Sequence, residues 1–563
     1  MSLARIAAGK VSLARSLSVA RNPVTGNSTS SSHSIQQQTL FVPPSRTMAT
    51  ATQRQPKVDR RKIYHSHLDQ DFVTKRNVYR QELNEFRELL TLTNQQTRQG
   101  SEQLVDIKGA MALYQRLREI GLFSSADIAL LIQGVHSSAR TNFKTSASVI
   151  SDDRFRLMQR QSEVLLDFIE YIVADLKSGK CKTNAFGFTQ LLTCYFTMRN
   201  PQRGYEVWTE LAFEDSMDKN VKLLAFSPKV VGAAIDLMVA DAKPIEDIEN
   251  VYNECRKFGS SINLEHALAR AYIYYDRVTE ALKLFSNMVR EYQNEEYYLA
   301  RVHDTFVGDC ANIEVAKSFF MEAVEKRTPY VVNVHPSAAH RLMERLWVTN
   351  KNLDEVFEVW KLYLLSIPPG TRERTYNILT YALFTCFFEA NPTMTPAAYG
   401  YLKSIIQTYS EIHSNVSALF LNTLLTLASQ WKNADVTLGI IETYDVYNIR
   451  KHNDTFRVIL NSLAAISVSP EFIAETWKAR LSITDKERLE PYDFCALAKA
   501  CSQTDRHALF NELFWDVFNT HGVTKAHLRN LHSYSGKNEG VAFIAPVIEN
   551  AKRELEKQEL ASA

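Results

Sequence analysis

Glycine and proline are scarce in this chain. Among 563 residues there are 18 glycines and 16 prolines, about 3 % each, against ordinary usages of roughly 7 and 5 %. Sandwiches of β-sheets and open α/β sheets need turns rich in these residues at short intervals. The scarcity therefore indicates a mostly helical protein.

Several motifs of catalysis and metal binding are also missing from the sequence. The seven cysteines never form a CxxC pair, which excludes a zinc ribbon, a zinc finger and a thioredoxin-like redox centre. There is no phosphate-binding glycine loop, no HExxH and no zinc deaminase signature. No stretch reaches 18 apolar residues, so we expect no transmembrane span. We also expect no enzymatic activity, no metal and no cofactor.

Acidic residues are missing from residues 1–58, which contain seven Lys or Arg. Leu3, Ile6, Leu13 and Leu17 would share one face of a helix, and a stretch rich in Ser, Thr and Gln follows. A basic, acid-free and amphipathic start is typical of a mitochondrial presequence. We therefore predict a protein of the mitochondrial matrix, with peripheral contact to the inner membrane left open. A tail without function is the alternative.

Without the predicted presequence the chain is slightly acidic. Removing its seven basic residues from the total of 65 leaves 58, against 63 Asp and Glu. A protein that bound nucleic acid with its whole surface would be strongly basic. Any RNA-binding surface must therefore be local, and a protein-binding function stays open.

A pattern of two short amphipathic helices recurs along the chain. Its clearest copy spans residues 264–289, with a break at Asp276 and Arg277. Each second helix carries one large apolar residue, here called its anchor, and from Trp208 onward the anchors are 33 to 44 residues apart. The anchors are Tyr114, Trp208, Tyr252, Phe285, Phe320, Trp360, Leu402, Ile441, Trp477 and Phe514. We interpret them as core residues, because helices this short must stack on neighbours to bury their apolar faces.

This pattern predicts an all-α solenoid of about ten degenerate helix-turn-helix repeats. We divide the chain into a presequence and disordered segment at 1–58, a charged helical lead-in at 59–103, the repeat array at 104–521 and a helical cap at 522–563. The interval from Tyr114 to Trp208 is too long for one repeat. We predict two units there, joined by an irregular insertion with a Ser- and Thr-rich loop at 137–151.

The repeat at 264–289, with the motif EALKLFSNM in its second helix, resembles a pentatricopeptide repeat. The opening Thr375-Tyr376-Asn377 and the segment 105–121 are similar to it as well. The resemblance covers residues 104–521, and the related tetratricopeptide repeat is the structural competitor. It implies a right-handed superhelix whose first helices line a concave groove. Members of the family are typically organellar RNA-binding proteins that read one base per repeat.

The resemblance places one RNA-contacting residue near the start of each first helix. Asn377 and Asn422 match the family's base-reading residue, since a planar amide both donates and accepts hydrogen bonds. Arginine and histidine at this position depart from the pattern and are expected to contact phosphates or stack on bases. The predicted RNA-binding residues are Thr189, His266, Arg301, Arg341, Asn377, Asn422 and Arg457, with Arg374 and Tyr298 one turn earlier on their helices.

Two functions follow from these observations. The first is a mitochondrial factor that binds single-stranded RNA in the groove and protects, processes or promotes the expression of organelle-encoded messages. The alternative is a tetratricopeptide-like scaffold that binds proteins, as an assembly factor or a subunit associated with the mitoribosome or other expression factors. The acidic charge favours the alternative, and the presequence together with the repeat type favours the first.

Overall fold

The computed structural model describes residues 70–99, 107–146, 152–215, 217–368, 370–484 and 487–562. All regular elements of the described residues are helical, which confirms the all-α prediction. The predicted presequence at 1–58 lies outside the described residues.

The described residues form two compact units. The N-terminal unit holds the described residues up to Val315 and also Thr328–Val332. The C-terminal unit holds Ala316–Arg327 and the described residues from Asn333 onward.

The helices of the N-terminal unit are α1 Gln70–Val78, α2 Arg80–Gln99, α3 Lys108–Leu117, α4 Ser125–Ser146, α5 Asp152–Lys177, α6 Ala185–Thr197, α7 Pro201–Phe213, α8 Lys219–Ala225, α9 Pro228–Ala240, α10 Ile245–Arg256, α11 Ile262–Tyr274, α12 Val278–Glu291 and α13 Glu296–Asp309. Helix α14, Ile313–Val324, follows α13 along the chain. The C-terminal unit continues with α15 Pro336–Asn350, α16 Leu353–Ser366, α17 Glu373–Ala390, α18 Pro396–His413, α19 Ala418–Ala428, α20 Ala434–Val446, α21 Asn453–Leu463, α22 Pro470–Leu481, α23 Pro491–Ala500, α24 His507–Thr520, α25 Lys525–Lys537 and α26 Ala545–Ser562.

Within each unit the first helices of successive pairs pack side by side. In the N-terminal unit this layer is α2, α4, α6, α9, α11 and α13, and in the C-terminal unit it is α15, α17, α19, α21, α23 and α25. The helices between them pack on the same layer as the second members of the pairs, with α8 as an extra short helix. Each unit is thus a stack of helix pairs, as a repeat array requires.

All ten predicted anchors are buried, which confirms their assignment to the core. Two of the tryptophan anchors also donate an indole hydrogen bond: Trp208 to the carbonyl oxygen of Ala225 at 3.1 Å and Trp360 to the hydroxyl of Thr380 at 3.2 Å. A buried indole N–H needs such a partner. These two bonds fix the rotation of their second helices as well as their packing, whereas the buried indole N–H of Trp477 has no hydrogen-bond partner within the described residues.

The clearest predicted repeat folds as expected. Ser261 caps the start of α11 by accepting a hydrogen bond from the Leu264 amide, which satisfies one free N–H of the first turn. Asp276 has a φ of 58°, in the left-handed region, and turns the chain between α11 and α12. The predicted break at Asp276 and Arg277 is therefore confirmed.

The loop predicted at 137–151 is wrong over residues 137–146, because α4 continues to Ser146. Ser138 and Thr141 donate hydrogen bonds to the carbonyl oxygens four residues earlier, both at 3.0 Å, so these hydroxyls are satisfied inside a helix. Ala139 and Asn142 are buried, which gives this part of the helix a packed face. Packing thus overrides a composition typical of loops.

The close approach of α4 and α6 depends on a glycine. A Cβ atom on Gly187 would lie 2.8 Å from the Cα atom of Ala129, well inside van der Waals contact. A side chain here would push the two first helices apart.

No single helix of the described residues is long and apolar enough to cross a membrane. Helices α8 and α9 reach that length and composition only together, and a bend of 64° separates them.

Candidate nucleic-acid interface

The side chains of the first helices that are not packed into the core form what we call the first-helix surface. In α11 these side chains include Arg270 and Tyr274, with the buried His266 one turn before Arg270, and in α13 they include Tyr297 and Arg301. Residues four apart lie above one another on a helix, so each set forms a row along its helix. Because α11 packs against α13, the two rows are neighbours.

Charged and aromatic side chains link three adjacent first helices of the N-terminal unit. Arg270 of α11 forms an ion pair with Asp236 of α9 at 3.0 Å. The rings of His266 and Tyr298 meet edge to face, with centroids 5.8 Å apart. Arg301 donates a hydrogen bond to the hydroxyl of Tyr297 at 3.1 Å. We call Asp236, His266, Arg270, Tyr297 and Arg301 the arginine cluster.

His266 is neutral in this cluster. It is 6 % exposed, and burial, together with the charges of Arg270 and Arg301, lowers the pKa of His266 to about 3. Its Nε2 atom makes no hydrogen bond within the described residues. The arginines, rather than His266, therefore supply the positive charge of the cluster, and His266 contributes an uncharged, buried ring.

Two exposed tyrosines flank the arginines. Tyr274 and Tyr297 are both 64 % exposed, and each lies one turn from an arginine on the same helix. The guanidinium of Arg301 lies 5.7 Å from the ring centroid of Tyr297. An exposed aromatic ring beside a guanidinium group is a surface on which a base can stack.

Thr189 lies on α6, where the first-helix surface is less charged. Its hydroxyl donates to the carbonyl oxygen of Ala185 at 2.8 Å and is thus used within the helix. The adjacent Gln190 accepts a 2.8 Å contact from the ring of His136 on α4. Phe186, 36 % exposed, has the amine of Lys229 on α9 at 5.6 Å from its ring centroid.

The two predicted asparagines of the C-terminal unit are both half-buried, and each side chain already makes a hydrogen bond within the protein. Asn377 donates to the hydroxyl of Thr423 on α19 at 3.3 Å. The amide oxygen of Asn422 accepts a hydrogen bond from the hydroxyl of Tyr444 at 2.7 Å. Each side-chain amide keeps hydrogen-bonding capacity that the protein does not use, but a base would have to share the amide with a protein partner.

Arg457 is surrounded by carboxylates. It forms ion pairs with Asp454 on its own helix at 3.2 Å, and with Glu490 and Asp493 beside and on α23 at 2.9 and 2.6 Å. Its side chain is 17 % exposed. Asp493 is fully buried and also pairs with Arg480 at 2.8 Å. Arg457 therefore helps to hold α21 and α23 together, whatever else it contacts.

The remaining predicted residues differ in accessibility. Arg374 is exposed in the first turn of α17 and has no ion pair within the described residues. Arg341 is half-buried on α15. Of the predicted set, the structure brings His266 and Arg301 into one cluster in the N-terminal unit, and the ring of Tyr298 packs against His266.

Arg270, Tyr274 and Tyr297 are not among the RNA-binding residues predicted from the sequence. Arg270 and Tyr274 follow His266 by one and two helical turns, and Tyr297 precedes Arg301 by one turn. Extending each predicted position along its helix face would have found all three.

The layered helix pairs define a helical-repeat protein, with charged and aromatic side chains on the first-helix surface of the N-terminal unit. Comparison with known families refines this class. The RMD9 N-terminal domain matches residues 56–225 and the RMD9 middle domain matches residues 245–450. Together they account for well over half of the chain, which belongs to the RMD9 family.

Two curated relatives illustrate the similarity. RNA-binding protein RMD9, mitochondrial, of Saccharomyces cerevisiae is 26 % identical over 379 residues, which are 65 % of this chain and 58 % of that protein. The protein of the same name from Candida glabrata is 24 % identical over 384 residues, 66 % of this chain and 62 % of that protein. The matched region thus spans about three fifths of the length of these relatives.

A solved structure supports the fold. The structure of yeast Rmd9p in complex with a 16-nucleotide target RNA matches with a TM-score of 0.69, over 84 % of this chain and 97 % of that chain, at 21 % identity.

Proposed function

We propose that this chain is a mitochondrial protein of the matrix that binds single-stranded RNA along its first-helix surfaces and protects or processes organelle-encoded messages or promotes their expression. The relatives of this family are named mitochondrial RNA-binding proteins. The structurally similar yeast protein was solved with a target RNA.

The arginine cluster is the observation that carries this proposal. Two arginines on neighbouring helices supply charge for phosphates, and Tyr297 with Tyr274 supplies exposed rings for bases. Single-stranded nucleic acid is held by this combination of a basic track and stacking platforms. A local cluster also agrees with the acidic balance of the chain beyond residue 58.

The other predicted residues complete the proposed interface. Arg374 and Arg341 would contact phosphates, and Asn377 and Asn422 would read base edges with their remaining amide groups. Thr189, His266 and Arg457 remain proposed RNA contacts because each lies at the position on its first helix that the family resemblance predicts. Such binding would protect an RNA by covering it, which requires no catalytic chemistry from the chain.

The proposal is tested by equilibrium binding of the full chain to fragments of mitochondrial RNA at several salt concentrations. A triple variant, Arg270→Ala, Arg301→Ala and Arg374→Ala, removes exposed or half-exposed arginines of the first helices and leaves Arg457 in place. Each lost phosphate contact on single-stranded RNA should reduce the salt slope by about 0.7, so the triple variant should lose about 2.

A second triple variant, Lys283→Ala, Arg290→Ala and Lys478→Ala, is the matched control. It removes the same charge from second helices, where these residues are exposed, and should leave the salt slope within error of the wild type. Equal effects of the two triples would contradict the proposed surface. Absence of RNA binding by the wild type would overturn the proposal and favour the protein-binding alternative.

A further inference from the structure

An acidic side chain already pairs with one of the two arginines of the arginine cluster. The carboxylate of Asp236 and the guanidinium of Arg270 lie 3.0 Å apart across the α9 and α11 helices. The two side chains are 34 % and 32 % exposed, so the pair lies at the surface and is open to a ligand. Burial raises the pKa of Asp236, while the charges of Arg270 and Arg301 act against that rise and favour the charged carboxylate.

An ion pair that keeps about a third of each side chain exposed is weak. Pairs at the surface contribute roughly 0.2–1 kcal/mol, or about a 1.4- to 5-fold change in an equilibrium. Arginine binds phosphate at least as well as carboxylate, because its planar fork suits both groups. A phosphate can therefore displace Asp236, but it must compete with the carboxylate to do so.

The C-terminal unit repeats this arrangement in a tighter form. Arg457, at a predicted RNA-contacting position, is bound by Glu490 beside the next first helix at 2.9 Å and by Asp493 on that helix at 2.6 Å. There Asp493 is buried, so its ion pair with Arg457 stabilises the packing of α21 against α23. The looser pair in the N-terminal unit leaves Arg270 available for exchange between partners.

We propose that Asp236 competes with an RNA phosphate for Arg270 and thereby weakens sequence-independent binding of RNA to the first-helix surface. This inference rests on the proposed function and adds a residue that regulates the same site. Binding to an unrelated RNA depends mainly on phosphate contacts. A carboxylate that neutralises an arginine therefore keeps such binding weak.

The test compares Asp236→Asn with Asp215→Asn in the full chain. Both changes remove one negative charge from the N-terminal unit. Asp215 is fully exposed between α7 and α8, and its contact with Lys222 is 3.9 Å long. The probe is an oligouridine without relation to mitochondrial messages, and affinity is measured by fluorescence anisotropy across a salt series.

Asp236→Asn is expected to raise the affinity for oligouridine about two- to fivefold and to steepen the salt slope by up to about 0.7. Asp215→Asn should change neither quantity by as much. In the Arg270→Ala background, Asp236→Asn should lose its advantage over Asp215→Asn, since the arginine it frees is gone. Circular dichroism of each variant checks that the helices are retained.

The outcomes separate the two claims. If the wild type binds RNA but Asp236→Asn behaves like Asp215→Asn, or keeps its gain without Arg270, the competition is refuted and the RNA-binding function stands. If the wild type binds neither mitochondrial RNA nor oligouridine, the proposed function itself has failed.

Discussion

The buried histidine of the arginine cluster should make the stability of this protein depend on pH. Burial lowers the pKa of His266 to about 3 in the folded chain, whereas an unfolded chain has the ordinary value of about 6.5. As pH falls below 6.5 the unfolded state therefore takes up a proton that the folded state excludes. Stability should decrease from pH 6.5 down to about 3 and then level off.

The size of this effect follows from the two pKa values. The loss should be about 2 kcal/mol at pH 5 and about 5 kcal/mol below pH 3. Urea unfolding of the full chain at pH 7.5 and 5.0 measures it, with His266→Gln as the variant that cannot titrate. Since all other groups titrate in both proteins, the wild type should lose about 2 kcal/mol more than the variant between these pH values.

An exposed histidine provides the control for this experiment. His521→Gln removes an imidazole at the end of α24, where the side chain is exposed, and should track the wild type at both pH values. If the wild type and His266→Gln lose the same stability on acidification, His266 is not held neutral by its surroundings and the description of the cluster is wrong.

Three further predictions concern packing and RNA contact. Gly187→Ala should destabilise the chain by about 1–3 kcal/mol, because a Cβ atom at Gly187 would lie 2.8 Å from the α4 backbone. A Cβ atom at Gly400 on α18 would have no neighbour within 4 Å, so Gly400→Ala should stabilise the chain by up to about 1 kcal/mol. Thermal melts of the two variants measure both effects. Trp477→Ala removes a fully buried anchor and should cost about 3–5 kcal/mol in urea unfolding, and a cost below 1 kcal/mol would argue against its role in the core. Tyr297→Ala should weaken RNA binding by about 1–3 kcal/mol without changing the salt slope, because the variant loses a stacking ring but no charge. Tyr297→Phe keeps the ring and loses only the hydroxyl that contacts Arg301, so it should bind RNA with the affinity of the wild type.

The repeat architecture could be predicted from the sequence because it depends on local periodicity. The anchors lie in amphipathic second helices at regular intervals, and all of them are buried. The loop predicted at 137–146 is instead helical, because hydroxyl groups that favour loops make their hydrogen bonds inside α4. Sequence composition alone does not show that this segment has a packed face.

The candidate site could be predicted only in part, because its electrostatics depend on residues far apart in sequence. Arg270 meets Asp236 from 34 positions away, and Arg457 meets Asp493 from 36 positions away. The family resemblance identified Arg457 as a candidate, but its carboxylate partners became visible only in the folded chain. The neutral state of His266 likewise results from packing between helices.

The most direct test of the central claim is to locate where RNA touches this chain. The full protein would be crosslinked to RNA by ultraviolet light in intact mitochondria, and the modified residues would be identified by mass spectrometry. We expect crosslinks on the first helices, with Tyr274 and Tyr297 among the modified residues. Crosslinks confined to the second helices, or no crosslinked RNA, would contradict it.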